Sequence, residues 1–429
     1  MKIVTTAIAS LLAAVGLAPV AAQDVQVIHA GNVIRDAASG LEGPSTITIE
    51  DGRIVSIAPG LQPATDGAVL VDLSAKTVMP GLIDLHVHLD GNPGGDFRDA
   101  AVDTDEYATL LGAANARTTL AAGFTTVRDL GSAPQSMFAL RRATTEGVLP
   151  GPRIVASGPP LAIVGGHGDV SGFAPHVTEV LDTGFTCTGP VECMEKVRLA
   201  AQNGSDWIKI TATGGVLSQQ GRGLEAHFTN PEMAAIVEAA GAVGLNVAAH
   251  AHGARGIEAA ARAGIVTIEH GTYLDREAAE AMRANGTVLV PTLMAFQGVT
   301  ERLGTGVFTP TVEAKVREVS DIAQVFMRRA VEWGVPIAFG TDAGVFEHGR
   351  NAGEFALMMR QGMSSPDAVA SATTAAARVL GMENEIGRLA PGYSADIIAL
   401  DGNPLDDASL LEQVDWVMVR GRALDQAGD

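Results

Sequence analysis

Aromatic residues and positive charge are both scarce in this chain of 429 residues. Phe, Trp and Tyr together make up 4% of the sequence, and 29 Lys and Arg stand against 49 Asp and Glu, which gives a net charge of −20. Because an acidic surface repels phosphate backbones, we do not expect nucleic-acid binding. The 50 glycines instead favour many small elements joined by short turns.

Long apolar runs are missing except near residue 1. Lys2 precedes the mostly apolar or small stretch Ile3–Val20, and Ala21 and Ala22 offer small residues for cleavage. This pattern predicts a secretory signal peptide over residues 1–22 and no membrane span, because the run is short and polar sequence follows at once. We therefore expect a secreted or periplasmic protein.

The chain has only two cysteines, Cys187 and Cys193, with five residues between them. In an oxidising compartment they can close a small disulfide loop. A two-cysteine metal site is the alternative, but no further Cys or His cluster adjoins them in the sequence.

The order of the predicted elements indicates an α/β protein. Short β-branched runs dominate residues 24–80, with Asp51-Gly52 as a hairpin turn, and similar runs return beyond residue 385. Between them a strand, a loop and a helix repeat, and Asn230-Pro231-Glu232 marks one helix start. The short apolar runs expected to be buried strands are Leu82–His88, Thr125–Leu130, Arg153–Ser157, Trp207–Thr211, Asn246–His250, Val266–His270, Val288–Thr292 and Pro336–Gly340.

Eight such strands with helical crossovers predict a (β/α)₈ TIM barrel. We assign residues 81–384 to this barrel, and 23–80 together with 385–429 to a small β-sandwich built from both ends of the chain. Two connections, Gly158–Cys193 and Met294–Arg328, are long enough to form a lid over a substrate.

Two histidines end the first barrel strand. Residues 80–90 read Pro-Gly-Leu-Ile-Asp-Leu-His-Val-His-Leu-Asp, and alternation along a strand puts His86 and His88 on the same face. Two imidazoles placed in this way can bind one metal ion. A pair of hydrogen-bonded core histidines is the alternative for this motif alone.

Later predicted strands end in matching polar groups. His250 and His252 form a second His-x-His, while His270 and Asp342 follow two other strands. All of them fall at the C-terminal ends, where barrel enzymes place their active sites. Lys209 lies in the middle of an apolar strand, where an amine beside metal ligands is unfavourable but a carbamate formed with CO₂ can bridge two cations. An outward lysine paired with a helix carboxylate is the alternative.

This ordered set of polar residues resembles the amidohydrolase superfamily. The opening Val78–Asp84 and the closing Gly387–Asp396 are similar to its flanking signatures. Thr213-Gly214-Gly215-Val216 and His250-Ala251-His252 resemble exported, carboxylated-lysine members related to Xaa-Pro dipeptidases, imidazolonepropionase-like proteins and ochratoxin-hydrolysing amidases. The match covers essentially the whole chain after residue 22.

The resemblance implies two divalent metal ions bridged by a carboxylated lysine. The ligands would be His86, His88 and Asp342 for the first ion, His250 and His270 for the second, and Lys209 for both. A hydroxide between the ions would be the nucleophile, and Asp342 would carry its proton to the leaving nitrogen. Zn²⁺ suits this set of nitrogen and oxygen ligands, with Mn²⁺ or Co²⁺ as alternatives.

Three further residues are candidates for catalysis or substrate binding. His252 lies one step beyond His250 on the same face, so it can hydrogen-bond a substrate carbonyl. His167, in the long connection after the third strand, is a second candidate of that kind, with an exposed loop histidine as the alternative. Arg222 can pair with a substrate carboxylate, or it is a solvated loop arginine.

The predicted activity is hydrolysis of the amide bond of dipeptides or N-acyl amino acids, with ochratoxin-type amides included. A lactonase or phosphotriesterase on the same site is the alternative. A non-catalytic relative would lack ligands, and none is missing here. We expect a small-molecule or dipeptide substrate and a homo-oligomer.

Overall fold

The computed structural model describes residues 25–94, 101–219 and 223–425. The predicted signal peptide and Arg222 lie outside the described residues. Within these ranges no helix combines the length and apolar character needed to cross a membrane.

The strands are β1 Val25–Ile34, β2 Leu41–Glu42, β3 Ser45–Glu50, β4 Arg53–Pro59, β5 Val69–Pro80, β6 Leu82–Val87, β7 Phe124–Asp129, β8 Arg153–Ala156, β9 Ala162–Ile163, β10 Thr186–Cys187, β11 Trp207–Thr211, β12 Asn246–Ala251, β13 Thr267–His270, β14 Val288–Val290, β15 Ile397–Leu400, β16 Val414–Val419 and β17 Arg422–Ala423.

Helices separate most of the strands in the middle of the chain. They are α1 Asp105–Ala121, α2 Pro134–Glu146, α3 Pro175–Leu181, α4 Pro190–Asn203, α5 Asn230–Ala242, α6 Ala254–Ala263, α7 Arg276–Asn285, α8 Leu293–Glu301, α9 Pro310–Ala323, α10 Phe326–Glu332, α11 Gly353–Arg360, α12 Ser365–Ala370 and α13 Ala376–Val379. A π-helical turn over Ser371–Ala375 joins α12 to α13, and a 3₁₀ turn covers Ala408–Glu412.

Strands from both ends of the chain pair in one sheet. Its order is β17-β16-β15-β5-β1-β3-β4, with β2 paired to β1. The predicted hairpin turn is confirmed, since Asp51 and Gly52 join β3 to β4 with φ of 49° and 76°. A two-residue hairpin loop of this type needs positive φ at both positions, which Asp-Gly tolerates. The sheet therefore links the two chain ends beside the central elements.

The middle of the chain forms parallel sheets. β6, β7 and β8 make one, and β11 to β14 make a second. β6, β7 and β11 are buried at every residue, as expected for strands covered on both faces. Isolated parallel bridges lie beside these sheets, at Leu161–Ile210, Leu289–Ile337 and Val87–Ala343. The predicted α/β class is confirmed.

The predicted eighth strand, Pro336–Gly340, forms no continuous ladder. Ile337 makes a single bridge with Leu289, while the Leu85 amide donates to the Phe339 carbonyl at 3.1 Å. The chain then turns at Asp342, where φ is 63°. This segment contacts β14 on one side and β6 on the other, and its change of partner explains why no regular strand is formed.

The start of α5 lies one residue earlier than the sequence pattern suggested. Thr229 is the cap and Asn230 is the first helical residue. The Glu232 carboxylate accepts hydrogen bonds of 2.8 Å from both the amide and the hydroxyl of Thr229, the three-residue spacing of a capping box. It also accepts a 2.7 Å bond from the Gly189 amide, which joins α5 to the segment before α4.

Cys187 and Cys193 form a disulfide, and both residues are buried. The bond connects β10 to the first turn of α4. This outcome agrees with the disulfide interpretation of the two cysteines and excludes a metal site at this pair.

Replacing both cysteines by alanine should lower the free energy of unfolding by about 2 kcal/mol. The short loop that they close restricts the unfolded chain only modestly, and the lost sulfur atoms leave a small buried cavity. Denaturant unfolding at equal metal content measures the difference, and the wild-type protein under reducing conditions is the matched control. An unchanged unfolding midpoint would contradict the expected stabilisation.

Candidate metal centre

The predicted ligands lie at one end of the parallel strands. His86 is in β6, with His88 directly after it, and Lys209 lies in β11. Parallel pairing of β12 with β13 brings Ala251 opposite His270, so His250 and His270 reach the same end of the sheet. The strand register therefore gathers residues that are distant in sequence.

One group of possible ligands consists of His86, His88 and Asp342, whose ligand atoms lie within 4.8 Å of one another. The Asp342 Oδ1 atom is 3.4 Å from His86 Nε2 and 3.1 Å from His88 Nε2. The other ring nitrogens point outward, with His86 Nδ1 2.9 Å from Glu269 Oε2 and His88 Nδ1 2.7 Å from the Gly131 carbonyl oxygen. These contacts leave both Nε2 atoms facing Asp342.

A second group consists of His250, His252 and His270. His252 Nδ1 lies 2.7 Å from Thr272 Oγ1, and His270 Nδ1 lies 2.7 Å from Thr292 Oγ1. The expected pair of histidines is thus joined by His252, whose ring stacks on that of His270 at 4.9 Å. Sequence spacing placed His252 beyond the metal ligands, whereas the fold brings its ligand atom into the same group.

Lys209 lies beside the first group, and its charge also acts on the pKa of His250 and His270 in the second group. Its side chain is buried, and Nζ is 3.4 Å from His86 Nε2. Burial lowers the pKa of this amine to about 8, although the Glu269 and Asp342 carboxylates act in the opposite direction. A lower pKa increases the fraction of neutral amine, the form that reacts with CO₂. The alternative of an outward lysine paired with a helix carboxylate does not fit this position.

Two members of the first group have protonation states that suit cation binding, whereas the pKa of the third, His88, is raised because its hydrogen bond with Asp342 outweighs the effect of burial. Burial lowers the pKa of His86 well below the usual value for histidine, so this imidazole is neutral. For Asp342, burial acts to raise the pKa, but the neighbouring His86 and the hydrogen bond with His88 outweigh it and keep the pKa low. Neutral imidazole and ionised carboxylate are the forms that bind metal ions.

The second group has the same property. Burial lowers the pKa of His250 and His270 well below the usual value, and it lowers the pKa of His252 to about 3. Three neutral imidazoles can therefore face one point without mutual charge repulsion. The donor atoms of both groups fit divalent ions that accept nitrogen and oxygen ligands.

His167 lies at the second group. Its ring centroid is 4.3 Å from that of His250, and its Nδ1 is 3.1 Å from Ser218 Oγ. It is half-buried and not an exposed loop residue. The structure thus places His167, His252 and His250 together, whereas Arg222, predicted for the same pocket, falls outside the described residues.

A buried ion pair behind the first group was not anticipated from the sequence. Arg128 Nη2 is 3.0 Å from Glu269 Oε1, and neither side chain is accessible to solvent. The other oxygen of Glu269 contacts His86. Glu269 directly precedes His270 in the sequence, so a second polar residue in that strand was the available signal.

Asp84 is a second buried carboxylate that sequence reasoning missed, although it belongs to the opening signature. It accepts hydrogen bonds from the Thr341 hydroxyl at 2.6 Å, from Asn351 Nδ2 at 2.8 Å and from the His86 amide at 3.0 Å. Burial raises its pKa to about 6. Because Thr341 precedes Asp342, these bonds fix the segment that carries Asp342 against β6.

Known proteins of similar sequence and structure include an ochratoxinase, a Xaa-Pro dipeptidase and a prolidase. An ochratoxinase from Aspergillus niger is 32% identical over 359 residues, which span 78% of this chain and 72% of that protein. A solved Xaa-Pro dipeptidase with methionine bound in its active site is 38% identical with a TM-score of 0.88, over 94% of this chain and 100% of that one. A prolidase complexed with N-methylphosphonate-L-proline is 32% identical with a TM-score of 0.85, over 93% and 99% of the two chains.

The region of family similarity contains the whole candidate site. Residues 77–424 match the amidohydrolase family, and this range spans β6 to β14 and every possible ligand described above. The resemblance predicted from the sequence is confirmed. This chain belongs to the amidohydrolase family, whose members are metal-dependent hydrolases of amide and peptide bonds.

Proposed function

We propose that this protein is a binuclear metal-dependent amidohydrolase that cleaves the amide bond of dipeptides or N-acyl amino acids. The observation that carries the proposal is the position of Lys209 between its contact with the first ligand group, Nζ to His86 Nε2 at 3.4 Å, and its electrostatic effect on His250 and His270 of the second group. A carboxylated Lys209 would supply one oxygen to each ion. The names of the prolidase, dipeptidase and ochratoxinase relatives support an amide substrate.

Each ion would have its own set of ligands. His86, His88 and Asp342 would hold the first, and His250 and His270 would hold the second, with Lys209 shared. Bound divalent ions supply an activated water and polarise a carbonyl oxygen. Zn²⁺ fits the ligands best, since two buried groups of imidazole and carboxylate donors are offered.

His252 and His167 have two candidate roles beside the second ion. His252 either completes the ligands of that ion, as its place in the second group favours, or donates a hydrogen bond to the substrate carbonyl. His167 is close enough to His250, at 4.3 Å between ring centroids, to contact the same substrate group. Asp342, whose pKa is kept low, would accept a proton and return it to the leaving nitrogen.

The proposed function also needs a closed scaffold. We propose that the isolated bridges at Leu161–Ile210, Leu289–Ile337 and Val87–Ala343 join the two parallel sheets into a (β/α)₈ barrel, with the terminal strands forming the β-sandwich. Barrel enzymes bind substrates at the C-terminal ends of their strands, and both ligand groups lie at that end.

Metal content should decide the binuclear part of the proposal. Purified protein should contain about two divalent ions per chain, and chelation should abolish hydrolysis because both the nucleophile and the carbonyl depend on them. Elemental analysis and activity before and after re-addition of Zn²⁺, Mn²⁺ or Co²⁺ provide the measurement. Full turnover in metal-free protein would refute the proposal.

Lys209→Ala should lose metal and activity together while the protein stays folded, because the removed side chain acts as a ligand. Acetate or propionate should restore part of the activity by filling the vacated position. Lys196→Ala, on α4 and away from the site, is the matched control and should keep both ions. Retention of two ions by Lys209→Ala, or an unmodified lysine by mass spectrometry in active enzyme, would exclude the bridge.

A free α-carboxylate on the substrate should matter for hydrolysis. Loss of one charge-assisted contact costs about 2 kcal/mol, or roughly 30-fold in kcat/KM. Dipeptides and N-acyl amino acids should therefore be cleaved faster than their methyl esters or amides, and faster than lactones or paraoxon. Equal rates for free and blocked acids would rule out this preference, and preferential lactone cleavage would favour the alternative activity.

A further inference from the structure

A buried lysine on α9 lies beside the turn over residues 214–218, which follows β11 and which we call the 214–218 turn. Lys315 is only 7% exposed, and its Nζ donates hydrogen bonds of 2.8 Å to the Gly215 carbonyl and 2.5 Å to the Ser218 carbonyl. An ammonium removed from water is costly unless its N–H groups find acceptors. Two backbone carbonyls at the turn supply them.

The 214–218 turn contacts two histidines of the site. Ser218 Oγ lies 3.1 Å from His167 Nδ1, and the Gly214 carbonyl oxygen lies 3.2 Å from His250 Nε2. Gly215 packs so closely on the His167 ring that a Cβ at this position would be 2.2 Å from it. The turn therefore contacts both rings, and a shift in its backbone would change the surroundings of each.

Helix α9 is attached to the protein independently of Lys315. Val312, Val316 and Val319 on the same helix are buried, and Thr309, its cap, donates a 2.7 Å hydrogen bond to Gln219 Oε1. The helix would thus stay docked without the ammonium. What Lys315 adds is a charged contact to the carbonyls at both ends of the turn segment 215–218.

We propose that Lys315 is a positioning residue, which fastens the 214–218 turn to α9 and through this turn orients His167 and His250 at the metal centre. The proposal rests on the proposed function and adds to it, because it gives the long connection after β14, residues 294–328, a role in orienting the second ligand group. The other long connection, residues 158–193, carries His167 and contacts the same turn.

Lys315→Met tests the assignment, because methionine keeps most of the apolar stem and removes every donor. Amide hydrogen exchange in the 214–218 turn should become faster, and kcat should fall about tenfold with a smaller change in KM. Lys315→Arg should recover much of the loss, since guanidinium still donates to carbonyls. Arg317→Met, on an exposed position of the same helix, removes the same charge and should behave as wild type.

Ser218→Ala provides a second test that does not depend on the stability of the lysine variant. It keeps the carbonyl that Lys315 contacts and removes the hydroxyl, which lies beside His167 and also bonds the Gly215 amide and carbonyl, so kcat should fall and exchange at the Gly215 amide should become faster. In the double variant with Lys315→Met, the loss should be less than the product of the two single losses, because both changes interrupt the same connection. Multiplicative losses would overturn the proposal.

Hydrogen exchange and bound metal are measured without substrate, so they separate this inference from the proposed activity. Faster exchange at the turn in metal-loaded Lys315→Met supports the positioning role even if the preferred substrate is not an amide. Wild-type exchange at the turn would refute it, and so would equal losses of activity in Lys315→Met and Arg317→Met.

Discussion

The site depends on burying many ionisable side chains at one end of the parallel strands, where polar contacts offset the cost of burial. Arg128 is the clearest case, since it is fully buried, donates 2.7 Å and 3.0 Å hydrogen bonds to the Leu85 carbonyl and to Glu269, and lies over the Trp207 ring. Glu269 in turn contacts His86. Removing one partner of such a set would leave an uncompensated charge and cost several kcal/mol. The ligand geometry is therefore held by the same contacts that make its burial possible.

Backbone strain is concentrated at the same place. Of the five non-glycine residues with positive φ in the described ranges, His270, Thr292 and Asp342 belong to the site or contact it. Each conformation is held by a side-chain or backbone bond, as where Thr292 Oγ1 meets His270 Nδ1 at 2.7 Å and the Asp342 amide donates to the His86 carbonyl at 2.7 Å. A left-handed residue after a strand redirects its side chain toward the centre, and such strain persists only where the surroundings fix it.

The sequence was informative wherever a residue's role follows from its own strand. His86 and His88 share a face because strands alternate, and burial of an apolar run such as β11 could be recognised without neighbours. Contacts between distant segments could not be recognised in this way. The grouping of His252 with His270 depends on the curvature and register of β12 against β13, and the bonds from Lys315 to the 214–218 turn join residues about a hundred positions apart. No local pattern encodes either arrangement. The cap at Thr229 was missed for a smaller reason, since Asn230 is an equally good capping residue and only the contact with Glu232 decides between them.

Charge balance gives a physical reason for the proposed modification of Lys209. Arg128 has Glu269 as its anionic partner, whereas the described residues give Lys209 no ion pair, and the His86 ring lies 3.4 Å from its Nζ. An ammonium at this position would compete with divalent ions for the same donors, and Coulomb repulsion over a few ångströms in a buried site is large. Carboxylation would replace that positive charge with a negative one and would add oxygen donors beside His86. The burial that lowers the amine pKa to about 8 thus disfavours a permanent ammonium and makes the neutral amine accessible. The buried environment of Lys209 therefore supports the proposed bridging form.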